Sequence, residues 1–157
     1  MPEKTFKNLL LLAEKLRSDT GCPWDREQTI VSMLEHLEEE AHEVREAIEN
    51  GDHENLKEEL GDLMFQIVMI SEIAKEKKYF TMEDVICDID KKIRKRHTWV
   101  FGKDKVRTPE EAVEMWRRNK KIEKARKTLK KGISLTPEGE KKQESLRLFE
   151  QRFGKGK

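Results

Sequence analysis

Two consecutive segments of this chain carry apolar residues at helical spacing, with a short turn between them. The first runs from about Thr29 to Glu49, and the second from about Glu54 to Lys77. Asn50-Gly51-Asp52 separates them, and glycine is the usual residue where a helix ends in the left-handed conformation. Helices joined by so short a turn pack antiparallel. The sequence therefore predicts an all-α fold, a helical bundle around an antiparallel central helix pair.

The apolar residues of the two segments define the faces that we expect to point into the core, because they recur every three or four positions. The expected inward face of the first segment comprises Leu34, Leu37, Ala41, Val44 and Ile48. The expected inward face of the second comprises Leu56, Leu60, Leu63, Met64, Ile67, Ile70 and Ala74.

Further helices are expected on both sides of this pair. Glu3–Arg17 has helical periodicity, and the turn-rich stretch from Ser18 to Asp25 is predicted to be a loop. Thr81 with Asp84, and Thr108 before Pro109, are typical helix starts. The expected organisation is one domain over residues 1–128, followed by a charged helical extension over residues 129–157 whose last helix spans Glu138–Phe153. No internal repeat and no strand-like alternation occurs in the sequence.

Charge is unevenly distributed along the chain. The net charge is only +1, although 41% of residues are charged. Between Glu35 and Asp62 there are twelve acidic residues and only two Lys or Arg, whereas Arg117–Lys131 holds nine Lys or Arg and one Glu. A salt-bridged, thermophile-like helical protein accounts for the high charged fraction. It does not account for the segregation.

The two cysteines, Cys22 and Cys87, have no metal-binding spacing, so we expect free thiols in a reducing compartment. The longest apolar run, Leu9–Ala13, is too short to span a membrane, and no signal-peptide pattern precedes it. We therefore expect a soluble, cytoplasmic protein without a membrane partner.

Two pairs of carboxylates stand out within the acidic centre. Glu40 and Glu43 share one helix face, as do Glu59 and Asp62, because residues three apart in a helix are neighbours. Antiparallel packing would bring the four groups together at the edge of the core. Such carboxylates repel one another and are costly to desolvate, so a cation is the natural counter-charge. The sequence predicts a metal site.

The ligand type favours Mg²⁺, Mn²⁺ or Ca²⁺ over zinc, because every predicted donor is an oxygen. Mg²⁺ usually meets its substrate through phosphate oxygens, so basic residues elsewhere in the chain point to phosphate chemistry. Glu39, next to the predicted ligands, is a candidate general base or a ligand to a second ion. A solvated helix face remains the interpretation for the other glutamates, Glu35, Glu38, Glu46 and Glu49.

A di-iron site is the competing metal hypothesis. Di-iron bundles use Glu-x-x-His motifs from two helices, and Glu39 with His42 supplies one. His36, His53 and His97 have no acidic residue three positions before them, so no second motif exists. The sequence does not support di-iron chemistry.

Five blocks, in this order, resemble the MazG-type nucleoside triphosphate pyrophosphohydrolases. They cover roughly residues 5 to 125 and are Gly21-Cys22-Pro23-Trp24-Asp25-Arg26-Glu27-Gln28-Thr29, Glu39-Glu40-Ala41-His42-Glu43, Glu58-Glu59-Leu60-Gly61-Asp62, Lys92-Ile93-Arg94-Lys95-Arg96-His97 with Val100-Phe101-Gly102, and Trp116-Arg117-Arg118-Asn119-Lys120. The resemblance implies an all-α fold, a single-domain form of the family, and Mg²⁺-dependent cleavage of an NTP or dNTP to its monophosphate and pyrophosphate. Mn²⁺ is the expected substitute metal.

By position, the family's metal ligands match Glu40, Glu43, Glu59 and Asp62, with Glu39 beside them. The family's nucleotide-holding groups match Lys92, Arg96, Trp116 and Lys120. The resemblance further implies a homodimer or higher homo-oligomer and a role in nucleotide housecleaning. Whether Glu39 or the metal activates the attacking water stays open, as do the number of ions and the preferred base.

The sequence departs from the family's pattern at two places. His42 stands where a tyrosine is common, and Thr98-Trp99 replaces a frequent Pro-His. Both departures bear on which nucleobase the protein prefers rather than on the type of reaction. Trp24 is expected to be a packing anchor under its loop.

A helical module that binds nucleotides or nucleic acid without catalysis is the alternative function, based on the basic run Arg117–Lys131. Clustered cations bind phosphate backbones with strong salt dependence. No nucleic-acid fold signature is present, and a basic helix can instead pair with an acidic one, so nucleic acid is not the expected partner.

Overall fold

The computed structural model describes residues 2–131, which form helices joined by short turns, with no β-strand in this range. The helices are α1 (Pro2–Arg17), α2 (Pro23–Glu27), α3 (Met33–Asn50), α4 (His53–Glu76), α5 (Met82–Arg96), α6 (Thr98–Phe101) and α7 (Pro109–Lys131). The predicted all-α fold is confirmed. The chain forms two compact units, Met1–Ile86 and a second that begins at Cys87.

The predicted domain boundary at residue 128 falls inside α7, which continues to Lys131. That boundary stays a prediction. The remainder of the expected extension over residues 129–157, including the helix expected at Glu138–Phe153, lies outside the described residues.

The α3–α4 pair is the centre of the first unit and has the predicted antiparallel arrangement. Gly51 takes a left-handed φ of 67°, its N–H donates to the carbonyl of Ile48, and the N–H of Asp52 donates to that of Ala47 at 3.0 Å. These two bonds form a Schellman motif, which satisfies the last carbonyls of α3. The Asp52 side chain then accepts from the Asn55 N–H at 3.0 Å and so caps α4.

The core of the first unit lies where α1 packs on α4 and the start of α3 closes over them. Its buried side chains are Ala13, Met33, Val68, Met69 and Ile73. Partly buried apolar residues surround them, namely Phe6, Leu9, Leu10, Ile30, Phe65, Ile70 and Met82. The buried residues come from α1, α3 and α4. The core therefore holds α3 and α4 together near the N-terminal end of α3.

The predicted inward face of α3 is wrong at Leu34, Ala41 and Ile48, which are all exposed. Leu34 and Ile48 are 52% and 60% exposed, whereas their neighbours Met33 and Ala47 are buried. On α4, the inward prediction holds for Ala74, which is buried, but Leu60, Met64 and Ile67 are exposed. An apolar strip is therefore uncovered along the central pair.

The predicted loop from Ser18 to Asp25 is shorter than expected, since α2 begins at Pro23 with proline in the first turn. Arg17 holds this short helix in place. Its guanidinium donates to the backbone carbonyls of Asp25 and Gln28 and to the Glu76 carboxylate at the end of α4. The second predicted helix, expected from Thr29, starts at Met33 because Thr29 and Ser32 hydrogen-bond each other's backbone N–H.

The other helix starts follow the prediction. At α5, the Thr81 hydroxyl accepts from the Asp84 N–H and the Asp84 carboxylate from the Thr81 N–H, which is a capping box. In the second unit, Thr108 accepts from the Glu111 N–H at 3.2 Å at the start of α7. Cys22 and Cys87 are free, as expected. Within residues 2–131, no helix has the length and apolar character to cross a membrane.

Candidate metal centre

The central helix pair brings three carboxylates together in the first unit. Glu40 and Glu43 project from α3 and Glu59 from α4, and one carboxylate oxygen of each lies within 4.8 Å of the other two. All three residues are half-buried. The arrangement follows from the i, i+3 spacing on α3 and the antiparallel packing of α4.

Two carboxylates of the cluster, Glu40 and Glu59, have raised pKa values. Burial raises the pKa of the Glu40 carboxyl, and the charges of Asp62, Glu43 and Glu39 raise it further, while a hydrogen bond from Gln66 opposes them. Burial also raises the pKa of Glu59, with the charges of Glu43 and Asp62 acting in the same direction. A bound cation would remove this repulsion.

Asp62 lies one helical turn after Glu59 on α4 and is exposed. It is not part of the 4.8 Å group, but its charge acts on both Glu40 and Glu59. Of the four predicted ligands, the structure therefore gathers three and places the fourth carboxylate beside them.

Gln66 is a polar residue at the partly buried edge of this cluster. Its side-chain amide donates to Oε1 of Glu40 at 3.0 Å, which ties α4 to α3. A carboxylate oxygen has more lone pairs than one hydrogen bond uses, so Glu40 keeps the capacity to bind a cation. The bond fixes the orientation of the carboxylate.

Glu39 is exposed next to the cluster, and its charge contributes to the raised pKa of Glu40. Its Oε2 lies 3.8 Å from Nδ1 of His36. A carboxylate that adjoins the cluster and remains open to water has the access that a general base requires. The glutamates interpreted as solvated, Glu35, Glu38, Glu46 and Glu49, are all exposed.

The predicted nucleotide-holding residues lie in the second unit. Arg96 and Lys120 both contact the Trp116 ring, with the guanidinium carbon 5.3 Å and the ammonium nitrogen 4.8 Å from its centroid. Cations over an indole ring are attracted by its quadrupole. Lys92 is half-buried on α5, one turn before Arg96.

Arg96 is held in place by a half-buried network. Its Nε donates to Glu123 at 2.8 Å, and Lys127 lies 3.0 Å from the same carboxylate. Burial opposes ionisation of Glu123, but the bonds from the two cations dominate and lower its pKa. Asn119 donates to the backbone carbonyl of Arg96 at 3.1 Å. Part of the basic run that could serve a nucleic-acid partner is therefore engaged in contacts within this unit.

Two shallow grooves run along α7 in the second unit. One, of about 480 Å³, is lined by Pro109, Glu110, Val113, Glu114 and Arg117. The other, of about 380 Å³, is lined by His97, Trp99, Ala112, Val113, Trp116 and Arg117. Trp99, one of the two departures from the family's pattern, thus lines the same groove as Trp116.

Comparison with known proteins agrees with this geometry. Residues 28–101 match the family model of the MazG nucleotide pyrophosphohydrolase domain. The crystal structure of a mazG-related protein from Thermotoga maritima superposes with a TM-score of 0.62, and its sequence is 35% identical. The match covers 73% of this chain and 98% of that protein. The chain belongs to the MazG family.

Curated MazG relatives are longer than this chain. The nucleoside triphosphate pyrophosphohydrolase/pyrophosphatase MazG of Thermotoga maritima is 42% identical over 122 residues, which is 78% of this chain and 46% of that protein. The nucleoside triphosphate pyrophosphohydrolase of Escherichia coli K12 is 37% identical over 120 residues, which is 76% of this chain and 46% of that protein. The chain thus spans about half the length of these relatives.

Sequence reasoning missed two contacts of the first unit, that of Gln66 with Glu40 and that of Trp24 with His36. Gln66 follows Asp62 by four positions and so shares its helix face, which is the signal that could have found it. Trp24, expected as a packing anchor, has a side chain that is 54% exposed. Its ring meets His36 edge-to-face, with centroids 5.4 Å apart. No sequence pattern links residues of two separate helices in this way.

Proposed function

We propose that this MazG chain hydrolyses nucleoside triphosphates, ribo or deoxy, at the α-phosphorus to the monophosphate and pyrophosphate, with Mg²⁺ held by Glu40, Glu43, Glu59 and Asp62. The observation that carries the proposal is the convergence of three half-buried carboxylates within 4.8 Å. The names of the relatives from Thermotoga maritima and Escherichia coli support the reaction type.

The residues present fit a hard divalent cation. All the donors are carboxylate oxygens, which suit Mg²⁺ or Mn²⁺ better than zinc. Burial raises the pKa values of Glu40 and Glu59, and neighbouring negative charge, which a cation would neutralise, raises them further. When bound, the metal supplies charge neutralisation for the triphosphate and lowers the pKa of an adjacent water.

The chain's own residues would carry the rest of the reaction. Glu39, exposed beside the cluster, takes a proton from the attacking water, whose oxygen forms a new bond to the α-phosphorus. The bond between that phosphorus and the oxygen bridging to the β-phosphate breaks, and pyrophosphate leaves with the electron pair. Gln66 keeps Glu40 oriented while the charge distribution changes.

Lys92, Arg96, Trp116 and Lys120 are proposed to hold the nucleotide. Arg96 and Lys120 are cations kept in place by the Trp116 ring, and Glu123 further orients Arg96. Fixed cations of this kind stabilise the charge that develops on a departing pyrophosphate without having to reorganise.

A homodimer is proposed as the minimum functional assembly. The support is the apolar strip formed on α4 by the exposed residues Leu60, Met64 and Ile67, together with exposed Leu34 on α3. Exposed apolar surface of this kind marks an association site. A second copy would cover the strip and add walls to a nucleotide site that few side chains enclose.

Hydrolysis in water labelled with heavy oxygen tests the reaction directly. The protein is incubated with Mg²⁺ and a panel of ordinary and damaged (d)NTPs, and the products are identified by mass spectrometry. Attack at the α-phosphorus places the label in the monophosphate. Label in pyrophosphate, or release of orthophosphate and diphosphate, would exclude this assignment. The panel also tests the housecleaning role, for which damaged nucleotides should be turned over preferentially.

A further inference from the structure

Trp24 is an exposed aromatic residue on a helix that is itself firmly anchored. α2 begins with Pro23, and the buried guanidinium of Arg17 holds its backbone at the Asp25 carbonyl. The Gln28 side-chain amide donates to the Trp24 carbonyl at 3.1 Å. Trp24 is nevertheless 54% exposed. A large ring that is fixed in position yet open to solvent is suited to contact a ligand.

The imidazole ring of His36 lies beside Trp24 and connects it to the metal centre. His36 meets the indole edge-to-face, at 5.4 Å between centroids and 69° between planes. His36 also precedes Glu40 by four positions on α3, so the two share one helix face, a turn apart. The face continues with Glu43, and Nδ1 of His36 lies 3.8 Å from Oε2 of Glu39. His36 thus contacts Trp24, lies close to Glu39 and shares a helix face with Glu40.

Trp116 is less available for stacking than Trp24. Its ring already carries the Arg96 guanidinium and the Lys120 ammonium. A nucleobase that stacked on a covered face would have to displace a cation. The ring of Trp116 already holds two cations, so Trp24 is the stronger candidate for stacking on a base.

We propose that Trp24 and His36 form an aromatic platform that stacks the nucleobase of the triphosphate whose phosphates are bound at the Glu40–Glu43–Glu59 cluster. The proposal rests on the proposed function, and it adds a subsite for the base. Stacking tolerates every base because each has a π-face. The platform therefore contributes affinity for nucleosides in general, and Trp24 acts on binding of the base rather than on the attack at phosphorus.

Binding of an uncleavable nucleotide tests the platform without turnover. Affinity for an α,β-methylene nucleoside triphosphate in Mg²⁺ is measured by calorimetry for the full chain and for Trp24→Ala, Trp24→Phe and Tyr79→Ala. Inorganic tripolyphosphate, which has the phosphates but no nucleobase, is the matched control ligand. Tyr79→Ala is the matched protein control. Tyr79 is an exposed aromatic residue that follows the C-terminal end of α4, whereas Glu59 lies near the N-terminal end of that helix.

We expect Trp24→Ala to bind the analogue roughly tenfold more weakly, as the loss of one base–aromatic stack predicts. Tripolyphosphate affinity should not change, Trp24→Phe should recover most of the loss, and Tyr79→Ala should match the parent protein. Thermal melting by circular dichroism should show Trp24→Ala folded, since its side chain lies outside the core.

Unchanged analogue affinity in Trp24→Ala would overturn the platform, and so would an equal loss for tripolyphosphate. A change in oligomeric state that accounts for the loss would assign Trp24 to a subunit interface instead. If the parent protein hydrolyses NTPs at the α-phosphorus while Trp24→Ala binds normally, only the platform fails. If the parent neither hydrolyses nor binds nucleotide, the proposed function fails with it.

Discussion

The Gln66 side chain donates its amide hydrogen to Glu40 Oε1 at 3.0 Å, and this bond crosses from α4 to α3 at the edge of the carboxylate cluster. It lowers the pKa of Glu40 against the larger effect of burial. It also limits the rotation of a carboxylate that is proposed to bind metal. Outer residues that orient metal ligands in this way contribute substantially to metal affinity.

Gln66→Met should weaken binding of Mg²⁺ or Mn²⁺ by roughly 10- to 100-fold, because the side-chain volume is retained while the donor is lost. Calorimetric titration with Mn²⁺ measures the effect. Thermal melting in chelator is the control, and it should show little change. Equal metal affinity in the two proteins would remove Gln66 from the site.

Glu43→Gln and Asp62→Asn should each abolish NTP turnover while leaving helicity intact. Glu43→Gln should also leave the metal-free protein as stable as the parent or more so, because one of the charges that crowd Glu40 and Glu59 is removed. Mg²⁺ should then raise the melting temperature of the parent but not of Glu43→Gln. Glu49→Gln, at an exposed position of α3, is the matched control and should behave as the parent does. Full activity in both site variants would exclude the proposed metal centre.

The sequence predicted the central helix pair and its carboxylates because both depend on local periodicity. Spacing of three places Glu40 with Glu43, and Gly51 sets the turn that brings Glu59 to them. The same periodicity failed for the core face of α3. Met33 and Leu34 are both apolar, as are Ala47 and Ile48, so the pattern cannot choose between adjacent positions. The choice depends on where α1 and α4 pack.

The contacts of Trp24 and Gln66 could not be predicted from sequence for a different reason, although spacing places Gln66 on the helix face of Asp62. Each acts through a residue on another helix, Trp24 through His36 and Gln66 through Glu40. Such pairs depend on the relative placement of helices, which local spacing does not encode. Arg17 illustrates the same limit, since it positions α2 through contacts with distant carbonyls.

The pH dependence of stability should differ between Glu40→Gln and the parent in the absence of metal. The pKa of Glu40 is raised from its usual 4.5 in the folded protein. Its folded form therefore binds a proton more tightly than the unfolded chain does, so its contribution to stability falls as pH rises from 4.5 through the raised value.

Urea unfolding in chelator at a series of pH values above 4.5 measures this effect. The parent should lose stability relative to Glu40→Gln as pH increases, and the difference should level off above the raised pKa. Comparison of the two proteins cancels the contribution of the groups that they share. A pH-independent difference would contradict the burial and crowding at Glu40.

Arg17→Met should destabilise the first unit by about 2 kcal/mol, which is typical of hydrogen bonds to charged groups. The Arg17 side chain is only 6% exposed, and its loss removes one donor from the Glu76 carboxylate and from each of two backbone carbonyls. Urea unfolding followed by circular dichroism measures the change. Arg26→Met is the matched control, because Arg26 makes an exposed pair with Asp19 at 3.5 Å and should contribute little. Equal effects of the two substitutions would show that burial of Arg17 does not matter.

Met64→Asp should dissociate the proposed homodimer. Met64 is exposed on α4 between Leu60 and Ile67, so an aspartate there would place an unpaired charge in the middle of an apolar contact between copies. Sedimentation over a range of protein concentrations measures the assembly, and circular dichroism checks that the monomer keeps its helices. Met64→Leu is the matched control and should retain the dimer, because it preserves the apolar character. A parent protein that sediments as a monomer at all concentrations would exclude the dimer. A dimeric Met64→Asp would place the contact on another surface of the chain.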